Sequence, residues 1–258
     1  MRLIKFILFL FLFFSYVFCC LFCTFLQKTS RLRLISKITS FFSSLLLKVF
    51  GVHIKIKGNL GSKKLKLVIS NHVSYLDILI IAKLVPSIFV TSTDVENEFF
   101  TGFLSKIGGS IFVNRRTLSK KLYREILEIT KVIVHSCPVC LFPEATSSDG
   151  KTVLPFKSTF FEVAKKVSIC VQPVCLKYSD SRVCYYGDMK FFSHFWKLLK
   201  IKRIDVQIFI LEHVSNIENT RHEMCNIAHS RILKAFNGEE TCKDSQKFIT
   251  DNWNLKIS

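Results

Sequence analysis

Leu65-Lys66-Leu67-Val68-Ile69-Ser70-Asn71-His72-Val73-Ser74-Tyr75-Leu76-Asp77-Ile78-Leu79-Ile80-Ile81 opens with an apolar run, breaks at polar residues and resumes as an apolar helical pattern. It reads as a strand over 65–70, a loop and a helix over 74–84. The same alternation extends in both directions. Upstream, Val52, Ile54 and Ile56 alternate with His53, Lys55 and Lys57, a strand with one solvated face. Downstream, strands are expected at 87–91, 110–114, 139–142, 169–178 and 205–212, and helices at 97–107, 118–135, 156–166 and 219–236. Pro173 should interrupt its strand and mark an edge or a bulge. Strand–helix alternation of this kind predicts an α/β fold, a mixed central sheet flanked by helices.

The chain has 258 residues, enough for one domain with a full core. Hydrophobic residues make up 49% and charged residues 22%, which excludes a disordered chain. The formal net charge is +18, so the expected partner is anionic: a membrane surface, a phosphorylated substrate or nucleic acid.

The N-terminus selects among these. Phe6–Leu26 is uncharged and mostly Phe, Leu, Ile or Val. As a helix it reaches about 31 Å, roughly one hydrocarbon core. A secretory signal has a shorter apolar run and a small-residue cleavage site, and Cys23-Thr24-Phe25-Leu26 is a poor one. A membrane anchor is therefore expected. Arg2 and Lys5 precede the run, whereas Lys28, Arg31, Arg33 and Lys37 follow it, which favours a cytoplasmic location for the bulk of the chain. Residues 32–50 read as an amphipathic helix with basic edges, suited to a lipid surface or packed on the domain. The expected organisation is a membrane-associated segment at 1–50 and one domain at 51–258. A nucleic-acid partner is not expected, because no interleaved basic and aromatic surface motif accompanies the charge.

Ten cysteines do not form a disulfide framework on this reading. Cys19, Cys20 and Cys23 sit in the apolar run, where Cys acts as a small hydrophobe. Cys137-Pro-Val-Cys140 has metal spacing, but no second pair or nearby His completes a zinc set, so a buried reduced strand and no metal are expected.

Four blocks carry candidate chemistry. In Asn71-His72-Val73-Ser74-Tyr75-Leu76-Asp77, His72 is a general-base candidate and Asp77 could orient it. Five residues apart, the pair would be on different faces of one continuous helix. They can meet only if His72 lies in the loop and Asp77 in the first helical turn. Ser74 then serves as N-cap, with Asp77 three residues in, which also allows Asp77 a plain capping role. In Phe112-Val113-Asn114-Arg115-Arg116, an arginine fork suits phosphate oxygens. Leu141-Phe142-Pro143-Glu144-Ala145-Thr146-Ser147-Ser148 places an acid and hydroxyls beyond the C-terminal end of a strand, where α/β sheets hold ligands. Val171-Gln172-Pro173-Val174 carries no reactive group.

These blocks, in this order, resemble the glycerolipid acyltransferase family, which includes the 1-acylglycerol-3-phosphate acyltransferases. The resemblance runs from about residue 68 to 178. It implies a His72–Asp77 couple that removes a proton from an acceptor hydroxyl, with Asn71, Arg115, Glu144, Thr146 and Lys157 binding substrate. Arg115 falls on the residue expected to hold the acceptor phosphate. The acyl donor would be a thioester of coenzyme A or acyl carrier protein, with no cofactor. The leading acceptor is lysophosphatidate. Two departures bear on it: Ala145 replaces the usual Gly and would oppose a positive φ, and Ser147 replaces the usual Arg. The second departure resembles the branch containing lyso-ornithine-lipid acyltransferases. A catalytically silent lipid-binding protein is the alternative from another class.

Overall fold

A computed structural model describes residues 2–60, 67–114, 120–215 and 219–239. In chain order its elements are α1 (Arg2–Phe22), α2 (Lys28–Phe50), β1 (Val52–Lys57), β2 (Leu67–Ser70), α3 (Leu76–Leu84), β3 (Ile88–Ser92), α4 (Thr93–Glu96), α5 (Phe99–Ile107), β4 (Ile111–Val113), α6 (Lys120–His135), β5 (Val139–Leu141), α7 (Glu162–Lys166), β6 (Val171–Tyr178), α8 (Phe191–Leu198), β7 (Ile204–Ile210) and α9 (Arg221–Asn237).

The strands form a seven-stranded sheet in the order β1-β7-β6-β2-β5-β3-β4. Every pairing is parallel except β6 with β7, so the sheet is mixed, with helices flanking it. All four residues of β2 are buried, as expected of a central strand covered on both faces. One layer of core joins Val68, Cys140 and Leu176 to Ile80 and Ile81 of α3 and Leu47 of α2. The other joins Leu67, Ile69 and Leu141 to Ile129 and Ile133 of α6 and Met224, Ala228 and Ile232 of α9.

The helix ends show why the elements stop where they do. Thr220 and Glu223 form a reciprocal capping box at the start of α9. Gly51 ends α2 at φ +74°, and a Cβ there would lie 2.4 Å from the Lys202 carbonyl oxygen, so only glycine fits this turn.

The first fifty residues pack on the domain. Leu32, Ile35, Phe42, Leu47 and Phe50 of α2 are buried, so the apolar stripe of this helix faces protein. Cys20 and Cys23 belong to the same core as β2 and β5. α1 is long and apolar enough to cross a membrane, yet the domain touches it at both ends. Near its start, Lys5 Nζ donates to the carbonyls of Ile201 at 2.8 Å and Phe50 at 3.2 Å, and the Arg2 guanidinium lies 3.8 Å over the Trp196 ring. Further along, Tyr16 and Thr39 share a hydroxyl hydrogen bond at 3.1 Å.

Several local expectations need correction. The helix expected over 97–107 begins two residues later, at Phe99 after the extended Glu98, and a separate short α4 precedes it. Residues 156–166 are a short 3-10 turn followed by α7. β6 is an interior strand that runs through Pro173 without interruption. The ladder to β7 yields instead. Val174 pairs with Ile210 and Val171 with Val214, so the chain just beyond β7 carries one extra residue opposite the proline. The α8 helix has no counterpart in the sequence reading. Residues 65–66 and 118–119 lie outside the described residues.

Candidate active site

The site gathers where β2 and β5 end, the usual crevice of an open α/β sheet. After Ser70 the chain leaves the sheet as the loop 71–75. Asp77, in the first turn of α3, turns its fully buried carboxylate back onto that loop. Its Oδ2 accepts from His72 Nδ1 at 2.8 Å, from the Val73 amide at 2.7 Å and from the Ser74 amide at 2.9 Å. Its Oδ1 accepts from the Tyr178 hydroxyl at 2.6 Å. Half of the expected capping box forms, since the Asp77 carboxylate accepts from the Ser74 amide. Tyr75 is the N-cap residue and makes no side-chain cap bond, while Ser74 Oγ receives only a long bond from the Leu76 amide, at 3.3 Å. Asp77 caps the loop, and His72 and Asp77 meet as the loop-and-first-turn arrangement requires.

The hydrogen bond to Asp77 places the His72 proton on Nδ1 and leaves a lone pair on Nε2. Among the described residues Nε2 has no hydrogen-bond partner. The His72 ring stacks on Phe142, with ring centroids 4.1 Å apart and planes 15° from parallel. Phe142 in turn stacks on Phe89 at 6.3 Å. Apolar contact on one face and the carboxylate at one edge therefore fix the imidazole.

The Phe142–Ser148 loop supports the histidine from behind. Glu144 is buried, and its two carboxylate oxygens accept from the His72 amide at 2.8 Å and the Leu154 amide at 3.1 Å. Burial pushes the Glu144 carboxyl up to about 8, with the two amide bonds opposing the rise and the Asp77 charge adding to it. The Ser148 amide closes the frame by donating to the His72 carbonyl at 2.8 Å. Ala145 takes φ +61°, so the turn keeps its left-handed residue despite the Cβ, at a cost of roughly 1–2 kcal/mol.

The other sequence candidates fall in different places. Asn71 does not face the crevice. Its Nδ2 donates to the Leu176 carbonyl at 2.9 Å and its Oδ1 accepts from the Leu176 amide at 2.8 Å. The side chain extends the ladder from β2 onto β6. Thr146 and Lys157 are exposed, and the Lys157 amide donates to the Pro143 carbonyl at 2.9 Å. Ser147 Oγ donates to the Tyr185 carbonyl. Arg115 and Arg116 lie outside the described residues. Cys137 and Cys140 are free and buried, with burial raising both thiols. Among the described residues no three His, Cys, Asp or Glu side chains are grouped to hold a metal.

Sequence reading missed Tyr178, which completes the Asp77 shell, and His194. The Tyr75 hydroxyl donates to His194 Nδ1 at 3.0 Å, while His194 Nε2 donates to the Arg182 carbonyl at 3.1 Å. This link ties the 71–75 loop to α8. Neither residue belongs to a recognisable block, so only the fold brings them to the site.

Comparison with known proteins bears on the family and the fold. Residues 51–177 match the Acyltransferase family model. The chain is 26% identical to the lyso-ornithine lipid O-acyltransferase of Brucella abortus (strain 2308), over 76% of this chain and 80% of that protein. It is 28% identical to the 1-acyl-sn-glycerol-3-phosphate acyltransferase of Neisseria gonorrhoeae, over 55% of this chain and 57% of that one. The fold matches the crystal structure of the 1-acyl-sn-glycerophosphate acyltransferase PlsC from Thermotoga maritima with a TM-score of 0.65. The match covers 92% of this chain and 97% of that one at 19% identity. The β2–α3 loop with its His72–Asp77 couple lies within the matched segment, and the chain carries a domain of the Acyltransferase family.

Proposed function

We propose that this protein transfers a fatty acyl group from a thioester to the free hydroxyl of a membrane lysolipid, with His72 as general base. The observation that carries the reading is the 2.8 Å hydrogen bond from His72 Nδ1 to Asp77. The acceptor hydroxyl gives its proton to Nε2 as its oxygen attacks the thioester carbonyl carbon. The tetrahedral intermediate then collapses, the carbon–sulfur bond breaks, and the thiolate recovers the proton from the imidazolium. Asp77 remains ionised and stabilises the charged imidazole throughout. The acceptor hydroxyl takes the part that a serine plays in a catalytic triad, so no acyl-enzyme forms. Glu144 and Asn71 act on the site by holding the loop. The acyl donor is a thioester of coenzyme A or of acyl carrier protein, and the apolar α1 keeps the chain on the cytoplasmic leaflet with its lipid acceptor.

Two acceptors fit this chemistry. Lysophosphatidate needs a cation for its phosphate, and the sequence resemblance assigns that part to Arg115. Lyso-ornithine lipid presents an amino-acid head without phosphate. Ser147 favours the second acceptor: it replaces an arginine and points its hydroxyl at the Tyr185 carbonyl, leaving no cation at that position. Relatives named for this acceptor align over more of the chain than the phosphate-acceptor relative from Neisseria gonorrhoeae. Thiol release from an acyl thioester, measured with lysophosphatidate and lyso-ornithine lipid in parallel, decides between them. Release only with lyso-ornithine lipid assigns it as the acceptor. Release only with lysophosphatidate returns the assignment to Arg115.

A further inference from the structure

We propose that α8 and α5 form a membrane-seating face of the catalytic domain, which enters the hydrocarbon of an anionic leaflet beside α1. The proposal rests on the membrane-lipid reading of the substrate and specifies how the domain meets the bilayer.

The α8 sequence, Phe191-Phe192-Ser193-His194-Phe195-Trp196-Lys197-Leu198, is divided between two environments. His194, Phe195 and Leu198 are buried. Phe192 is 64% and Trp196 42% exposed, and on the neighbouring α5 Phe99 is 94% exposed. Four large apolar side chains left in water, counting the 45% exposed Phe103, would be unusual for a surface that faces only solvent.

These residues continue the apolar surface of α1. The Phe6 ring meets the Trp196 ring edge-on at 5.2 Å, and Phe13 stacks on Phe100 at 5.5 Å. Between α1, α5 and α8 runs an open groove of about 510 Å³ whose walls are almost wholly aromatic and aliphatic. A bilayer that receives the outer face of α1 also meets this groove, because the three helices are in contact along it.

Charge identifies the occupant. Residues 189–202 contain Lys190, Lys197, Lys200 and Lys202 and no acid, and all four lysines are exposed, whereas the adjoining Arg203 is paired with Asp205. Arg2 stacks on the same Trp196 ring. An aromatic belt edged by cations suits the boundary between lipid headgroups and hydrocarbon, where tryptophan settles and basic side chains meet anionic lipid. The face also has a direct connection to the chemistry, since His194 on the buried side of α8 receives the Tyr75 hydroxyl from the catalytic loop.

The chain has two tryptophans, Trp196 and Trp253, and the latter lies outside the described residues. Full-length protein carrying Trp253→Phe therefore reports on Trp196 alone. It is bound to phosphatidylglycerol vesicles whose acyl chains carry bromine. The expected result is a blue-shifted Trp196 emission that loses most of its intensity to the bromines. Unquenched Trp196 emission from vesicle-bound protein overturns the proposal. A blue shift without quenching, accompanied by self-association, also overturns it and assigns the face to a second copy of the chain. Acyl transfer in mixed micelles is read separately. Protein active there but unquenched on vesicles keeps the enzymatic reading and loses this one.

Discussion

Tyr178 and Asp77, 101 residues apart in sequence, are joined by a 2.6 Å hydrogen bond from the phenol to Oδ1. Three donors already occupy Oδ2, so Tyr178 serves the carboxylate oxygen they leave. Burial, then the Asp77 charge, push the phenol far above its ordinary range, which keeps it a donor at working pH. Tyr178→Phe removes one charge-assisted bond, worth about 1.5–3 kcal/mol. The variant should unfold at a lower urea midpoint and, while folded, show a lower kcat. Unchanged kcat with lower stability would make the tyrosine purely structural.

Asp77→Asn separates charge from geometry. The amide oxygen can accept the His72 and loop N–H groups, and the amide nitrogen can face Tyr178, whose hydroxyl can turn to accept. The tautomer of His72 is retained and the stabilisation of imidazolium is lost. We expect kcat to fall by about 10²–10⁴-fold, the span general-base catalysis supplies, with KM nearly unchanged. Near-native kcat would remove Asp77 from the mechanism.

Glu144 makes stability depend on pH. Its folded-state value of about 8 lies above the 4.5 of the free carboxyl. Between these values the folded state binds more protons than the unfolded chain, so stability falls as pH rises through the window. Glu144→Gln abolishes that slope. One amide group cannot accept from both the His72 and Leu154 N–H groups, so the variant is also weaker at low pH. Urea midpoints at pH 5.5 and 8.5 should differ more for the native chain than for the variant. Parallel midpoints would show that Glu144 does not titrate in this range.

Ala145→Gly tests the strained turn. Glycine relieves the cost of φ +61° but adds entropy to the unfolded chain. The balance favours the variant by about 0.5–1 kcal/mol, read as a higher urea midpoint. A lower midpoint would mean that the Cβ makes a contact worth more than the strain.

Local signals explain what the sequence reveals. The alternation at Val52, Ile54 and Ile56 marks β1, and the apolar run before Asn71 marks β2. The His72–Asp77 couple was readable because five residues of loop and first turn suffice to close it. Contacts set by the fold leave no such periodicity. Asn71 binds Leu176 and Tyr178 binds Asp77 only because β6 lies beside β2. Glu144, expected at the substrate, satisfies two backbone amides. Eight residues rich in Phe and interrupted by Ser and His were too short and too aromatic to mark α8 as a helix. Pro173 left edge and bulge open, because an isolated proline does not reveal that the chain beyond the partner strand takes up the extra residue.

Histidine-dependent acyl transfer to a lysolipid hydroxyl stands or falls on thiol release from acyl-coenzyme A and acyl-carrier-protein thioesters, with lysolipid in mixed micelles, comparing the native chain with His72→Ala. The expected result is lysolipid-dependent release by the native chain, abolished in a variant that remains folded. Equal release by both proteins, or none from the native chain with either donor and any lysolipid, would contradict it.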